Sequence, residues 1–310
     1  MQYRKLGKTG VAVSVMGFGA GPLGGDHGPV EPDDATRAVH YAIDQGINIF
    51  DVSPYYGRTV AEDRLGKALA GKRDKVFLAT KCGRYDHRKF DFSAQRVKAS
   101  IDESLKRLRT DHVDLLQAHD IEFGDREQII NETIPAMREI QESGKARYVG
   151  ITGLPLKILR DVANRVAIQA ILTYCRYNLM VTDMDEILTP FVRQRGIGLI
   201  NAAPLHMGIL TEAGPPSWHP APAEIKEAGQ KVARLCRKRA VNVVEIALRF
   251  CLDHPYVSTT LVGMSSTAQV KRNLNALNFR IDRELMQEIQ ETIAPVKDQV
   301  WPSGRPENDD

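Results

Sequence analysis

Three ionisable side chains stand where apolar runs stop: Asp51 closes INIFD, Lys81 closes FLATK and His119 closes LLQAH. A buried strand does not ordinarily finish on an unpaired charge, because a lone ion is expensive to take out of water. Asp51 and Lys81 answer that cost for each other, since a neighbouring carboxylate keeps a buried lysine protonated. Just beyond Asp51 come Tyr55, Tyr56 and Gly57. A cationic lysine beside a phenol favours phenolate and is expected to lower the phenol pKa from about 10. Such a phenol can give a proton to a carbonyl oxygen or take one from an alcohol. A histidine can hold the same oxygen by a hydrogen bond. Tyr56 is favoured over Tyr55, because Gly57 tolerates positive φ and permits a tight loop that turns the preceding ring inward. Tyr55, after Pro54, reads as a pocket wall or a packing residue. Each charge alone is a paired strand end; together they are a candidate site.

Convergence of these groups requires their strands to be neighbours. Apolar β-type runs at 15–20, 47–52, 76–81, 113–119, 146–152, 170–175, 197–203 and 257–263 alternate with amphipathic helical runs. In SAQRVKASIDESLKRL, residues 93–108, Val97, Ile101, Leu105 and Leu108 repeat at a helical period. Further helices are expected in DDATRAVHYAIDQG and REQIINETIPAMREIQESG, and Gly46, Gly144 and Gly196 fall where helices should stop. Eight strands with intervening helices and no break in composition imply a closed (β/α)8 TIM barrel. An N-terminal β-hairpin, residues 1–14, caps its floor, and a C-terminal extra helix and loop follow the last strand, with loop and tail at 296–310. Residues 1–310 then form one domain, with the site at the C-terminal ends of the strands. The competing fold is an open doubly wound sheet. Its glycine fingerprint has a match at Gly19-Ala20-Gly21-Pro22-Leu23-Gly24. That match is rejected, because Pro22 lacks an amide and GDHGPVEP delays the helix to about residue 33.

Composition narrows the partners. The 310 residues are 43% hydrophobic with a net charge of +3, enough for a large core and too little basicity for nucleic acid. RKRA at 237–240 reads as a solvated helix face. No apolar stretch approaches a membrane span and MQYRKLGKTG lacks the apolar centre of a signal peptide, so a cytoplasmic protein without membrane contact is expected. Cys82, Cys175, Cys236 and Cys251 show no CxxC pairing, which indicates neither disulfides nor zinc. Cys82 reads as buried and inert. The tail ENDD, 307–310, is expected to be disordered.

Asp51, five residues before the Tyr56-Gly57 pair, followed by Lys81 and His119 on the next two strands, resembles the aldo-keto reductase superfamily. FGAGPLGG, SPYYG, ATKCGRYDHRKFDFSAQRV, AHDIEFG, ETIPA, GITGLPL, GPPSWHPA, LVGMSS and WPSG are similar to its plant-type L-galactose dehydrogenase branch. The resemblance covers essentially the full chain. It implies a tetrad of Asp51, Tyr56, Lys81 and His119, with Tyr56 as the proton donor or acceptor. It implies a nicotinamide cofactor extended across the barrel mouth, no metal, and a sugar oxidised at its anomeric carbon to the lactone. L-galactose is the first expectation; L-fucose or another aldose, or general aldehyde and ketone reduction, are the alternatives within the superfamily.

The same resemblance places cofactor contacts on Thr152, Gly153, Tyr174, Pro204, Leu205, Gly208, Gly263, Met264, Ser265, Ser266, Gln269 and Asn273. Several depart from the superfamily's pattern. Thr152-Gly153 stands for Ser-Asn after strand five, Tyr174 for Gln on strand six, and Ala202 for the stacking aromatic after strand seven. A 2′-phosphate would want lysine and arginine, and the aligned positions are Gly263 and Gln269. NAD is therefore expected over NADP. Lys271 and Arg272 lie further on and read as solvated helix charges. Sugar contacts are expected from Tyr55, Arg84, Trp218 and Trp301. The protein is expected to be a monomer or weak homo-oligomer.

Three other functions compete. A Schiff-base aldolase would want Lys81 with a depressed pKa, the opposite of what Asp51 imposes. A metal-dependent isomerase would need more ligands than Asp51, His119, Asp120 and Glu122. A non-enzymatic subunit that senses nicotinamide redox state would not need the intact tetrad.

Overall fold

The computed structural model describes residues 1–26 and 28–310. Eight parallel strands close into a barrel in chain order: β1 Met16–Gly19, β2 Ile49–Asp51, β3 Phe77–Cys82, β4 Val113–Ala118, β5 Ala146–Gly153, β6 Ala170–Tyr174, β7 Gly198–Ala202 and β8 Thr259–Gly263. All eight expected strands are present, within a few residues of their expected bounds. The antiparallel hairpin Tyr3–Lys5 and Ala12–Ser14 closes the floor. Its Leu6 packs with Ile49, Leu115, Leu172, Ile200 and Leu261 inside the barrel. A Cβ on Gly198, at the start of β7, would come within 2.5 Å of the Leu6 side chain. The larger core lies between the barrel and its helices, with Val97, Ile101 and Leu108 facing inward as their spacing requires.

The helix after β1 starts at Pro32. The glycines of the rejected fingerprint form a short 3-10 turn, Gly21–Gly24, instead. Gly24 and Gly57 touch backbone to backbone: a Cβ on Gly57, at φ +58°, would meet the Gly24 carbonyl oxygen at 2.3 Å. The tight loop expected at Tyr56-Gly57 is thus held by the loop above β1. Gly46, Gly144 and Gly196 all carry positive φ and end the helices they follow.

Three features lie outside the sequence reading. A small hairpin, Arg84–Asp86 with Lys89–Phe90, rises from the loop after β3. The helix at 126–142 is interrupted by a π turn, Ile129–Thr133. The tail is ordered, which corrects the expected disorder. The Asp310 carboxylate accepts backbone N–H groups from Leu156 and Lys157 at 2.8 and 2.9 Å and pairs with Arg176 at 2.7 Å. Its anion sits at a helix N-terminus, where unsatisfied amides favour it. Among the described residues no helix is long and apolar enough to cross a membrane, and no cluster of His, Cys, Asp and Glu could hold a metal ion.

Candidate active site

Asp51, Lys81 and His119 end consecutive strands and meet at the barrel mouth, all nearly sealed from water at 4%, 1% and 4% exposure. Lys81 Nζ donates to an Asp51 carboxylate oxygen, to the Val52 carbonyl at 3.0 Å and to Tyr56 Oη at 3.3 Å. The partner of Asp51 is Lys81, as its place after an apolar run demands. Gln117, facing Lys81 across β3 and β4, donates to the other Asp51 oxygen at 2.9 Å. Burial alone would lower the lysine pKa, but Asp51 and Tyr56 outweigh it and raise it, so the ammonium stays charged.

Tyr56 does not behave as expected. Burial raises its phenol above the ordinary value of 10.0, and the nearby Lys81 offsets only part of that rise. Desolvation of the phenolate exceeds the attraction of one ammonium that is itself neutralised by Asp51. Tyr56 is therefore a protonated phenol. Its O–H remains free for a substrate oxygen, because the lysine occupies the oxygen as a donor.

His119 faces the Tyr56 ring edge-on, centroids 5.7 Å apart. Burial pushes its pKa down to about 3, so the imidazole is neutral. The Ser53 hydroxyl accepts the Tyr55 N–H at 3.1 Å and lies 3.0 Å from His119 Nδ1. Asp120 Oδ2 lies 3.7 Å from the other ring nitrogen, Nε2, a placement that favours the ring proton there, with Ser53 donating to Nδ1. Ser53 and Gln117 carried no sequence signal beyond being polar within apolar runs. Cys82 beside Lys81 is buried, and burial pushes its thiol up to about 12, so it is inert.

One wall of the mouth is built on Arg84. Its guanidinium pairs with Asp120 and lies 4.0 Å over the Tyr55 ring, 5.2 Å from Phe90 and 5.4 Å from Phe123. Tyr55 sits 5.9 Å from His119, centroid to centroid, and its hydroxyl meets His87 at 3.2 Å. Tyr55 and Arg84 thus stand beside the tetrad residues. Trp218 is 53% exposed and stacks on His219, whereas Trp301 is 6% exposed and packs against His206 and His219 at 5.2 and 4.9 Å. The structure puts Trp301 in the core rather than in this wall.

The residues expected at the cofactor lie at or beyond the C-terminal ends of β5 to β8. Thr152 Oγ1 accepts the Asp120 N–H at 3.0 Å, and the Tyr174 hydroxyl reaches Glu122 at 3.4 Å. Gly263, ending β8, would meet Pro22 at 3.1 Å with a Cβ, and Gly21 lies 3.7 Å from the Tyr56 ring on the same test. The helix Thr267–Leu274 opens nearby with Ser266 accepting the Gln269 N–H at 3.3 Å. Ser265 N–H and Oγ both bond Gln269 Oε1, at 2.7 and 3.2 Å. A helix N-terminus and glycines at the strand ends fit the phosphates of a dinucleotide, beside a protonated phenol. Pro204, Leu205 and Gly208 follow β7, with Gly208 at φ +101°; Met264 and Asn273 are buried beneath the Ser266 turn.

The comparisons agree with this geometry. Residues 15–294 match the model of the Aldo/keto reductase family. The chain is 46% identical to an L-galactose dehydrogenase of Arabidopsis thaliana over 99% of both chains. It is 29% identical to a D-arabinose 1-dehydrogenase of Saccharomyces cerevisiae, covering 86% of this chain and 87% of that one. Among solved structures, the holo form of an aldo-keto reductase from Bacillus halodurans superposes with a TM-score of 0.78 at 29% identity, covering 97% and 98% of the two chains.

Proposed function

The chain belongs to the aldo/keto reductase family, oxidoreductases that use a nicotinamide cofactor, and on that premise we propose that it oxidises an aldose at C1 to the aldonolactone with NAD. L-galactose, giving L-galactono-1,4-lactone, is the favoured substrate, because the relative of that name matches end to end at 46% identity. The observation that supports the chemistry is Lys81 Nζ in contact with both Asp51 and Tyr56 Oη, with a neutral His119 against the same ring.

Tyr56 Oη and His119 Nε2 hold the C1 hydroxyl between them. A bound nicotinamide would supply the hydride acceptor. As C1 loses hydride, its hydroxyl proton passes to the Tyr56 oxygen and the C1–O bond becomes the lactone carbonyl. Lys81 stabilises the phenolate that must exist before this transfer, and Asp51 keeps Lys81 charged. His119, being neutral, donates a hydrogen bond to the forming carbonyl and does not compete for the proton. No metal enters. Tyr55 and Arg84 wall the sugar on one side, with Trp218 at the rim.

NAD is favoured over NADP because Gly263 and Gln269 bring no cation to a 2′-phosphate. Gln269 is also already engaged by Ser265. Lys271 and Arg272 are exposed, and Lys271 lies 5.3 Å over the Tyr41 ring. Thr152, Gly153 and Tyr174 would hold the carboxamide side, and Ser265, Ser266 and the amides above them the phosphates. The test is to offer L-galactose, L-fucose and D-arabinose with NAD and with NADP and follow reduced cofactor at 340 nm. A larger kcat/KM for NADP would reverse the cofactor assignment, and no turnover of any aldose would overturn the reaction.

A further inference from the structure

Glu122 is fully buried, and the described ion pairs leave it without a cation; Arg84, the guanidinium on this side of the mouth, is taken by Asp120. One carboxyl oxygen accepts the Leu154 N–H at 3.2 Å and meets the hydroxyls of Tyr174 at 3.4 Å and Ser303 at 3.1 Å. The other, Oε2, is buried with no hydrogen-bond partner. The Glu122 carbonyl in turn accepts from the Arg305 N–H at 2.9 Å and from Asn308 Nδ2 at 3.0 Å. Gly304 passes so close that a Cβ, at φ +86°, would meet that carbonyl at 2.4 Å. Both the side chain and the backbone of one residue therefore hold the C-terminal segment to the mouth.

A buried carboxylate with no cation and one bare oxygen is costly; a carboxylic acid is not, since either hydroxyl can accept its proton. We propose that Glu122 is a positioning residue that works as a neutral carboxylic acid, donating to one of its two hydroxyl neighbours and tying residues 303–308 to the mouth beside Asp120 and Tyr174, and that its ionisation reverses that hydrogen bond and shifts the segment. Burial, with Asp120 adding to it, pushes the carboxyl up to about 8.

The two titratable side chains nearest it, Asp120 and Tyr174, are shifted away from that range. Asp120 is held low and paired with Arg84, and the Tyr174 phenol is pushed well above 10.0. On the tail, Asp309 accepts the Ser303 N–H at 3.3 Å and Arg305 pairs with Glu307 at 2.7 Å and Asp125 at 3.9 Å. Thr152 and Asp120 share a hydrogen bond, and Arg84 bridges from Asp120 to Tyr55. A second negative charge at Glu122 would push on that wall. The consequence for turnover rests on the aldose reading above, whereas movement of the tail does not.

The chain has two tryptophans, so 5-fluorotryptophan labelling gives two fluorine resonances; Trp218→Phe identifies that of Trp301, two residues before Ser303. In the substrate-free protein, the Trp301 resonance is expected to shift between pH 6.5 and 9.5 with a midpoint near 8. In Glu122→Gln, which mimics the acid without ionising, it should keep its low-pH position throughout. In Ser303→Ala, which retains the acid but removes a hydrogen bond that favours its anion, the midpoint should move to higher pH. A wild-type resonance that does not move, the wild-type transition repeated in Glu122→Gln, or an unmoved midpoint in Ser303→Ala would each overturn the proposal. Sugar KM should rise over the same interval in the wild type and not in Glu122→Gln. If no aldose turns over, the resonance still decides the tail.

Discussion

Two buried carboxyl groups at the barrel mouth are compensated in opposite ways. Asp51, ending β2, has an ammonium on one oxygen and an amide on the other. Glu122, just past β4, has three neutral neighbours on one oxygen and none on the other. Burial is equal, so the difference lies in compensation. The Asp51 side spends its carboxylate on keeping Lys81 charged, and that charge is what a phenolate needs. The Glu122 side has no use for a charge and is built from hydroxyls and backbone. On the proposed reading, proton transfer belongs to the first side and positioning to the second.

The most severe break of the charged side is Tyr56→Phe. Loss of a positioned proton acceptor removes about 10²–10⁴ in rate. We expect kcat for aldose oxidation to fall by at least about 10³-fold, with cofactor binding by fluorescence titration retained. Wild-type kcat in that variant would remove Tyr56 from the mechanism. Lys81→Met should be comparably inactive, and it also strands Asp51. Breaking a buried pair by removing one partner costs about 3–5 kcal/mol, to be read from chemical denaturation. Adding Asp51→Asn should restore much of that stability and none of the activity. If stability does not return, the pair is not what holds the cluster.

The charged side was largely legible before any coordinates. Asp51, Lys81 and His119 betray themselves as polar ends of apolar runs, and such ends require partners. Gly57 betrays the loop, because few other residues accept its φ. What the sequence hides is magnitude: the sign of the Tyr56 shift depends on how completely the ring is buried against how far Lys81 is already neutralised. It also hides partners set by closure. Ser53 meets His119 66 residues away, and Asp310 meets Leu156 154 residues away. A charged tail with no apolar residues reads as free until a helix N-terminus and Arg176 appear beside it. Asp120 and Glu122 were visible only as possible ligands for a metal, whereas the structure pairs Asp120 with Arg84 and gives Glu122 hydroxyl and backbone neighbours.

The raised phenol pKa gives the next effect. Oxidation needs phenolate, so kcat/KM under conditions where chemistry limits should climb with pH throughout pH 6–10, with no acidic limb from His119, whose pKa lies near 3. A flat profile would count against the phenol as base. Ser53→Ala should be milder. It removes one hydrogen bond, worth about 1 kcal/mol, and leaves the imidazole free to place its proton on either nitrogen. Roughly a fivefold loss in kcat, with KM for cofactor unchanged, is expected from initial rates.

The smallest effect separates the two carboxyls by thermodynamics. The folded-state pKa of Glu122, about 8, lies above the 4.5 expected for the unfolded chain. Between those values the unfolded state releases a proton that the folded state keeps. Its contribution is therefore complete below about pH 4.5 and is lost as pH rises through about 8. Glu122→Gln removes this dependence, so its melting temperature relative to wild type should rise from pH 5 to pH 8 and then level off. Asp51→Asn should melt well below wild type throughout, since it leaves Lys81 buried without its carboxylate. Parallel Tm curves for wild type and Glu122→Gln would mean that Glu122 is already ionised, and the contrast between the two carboxyls would be one of position alone.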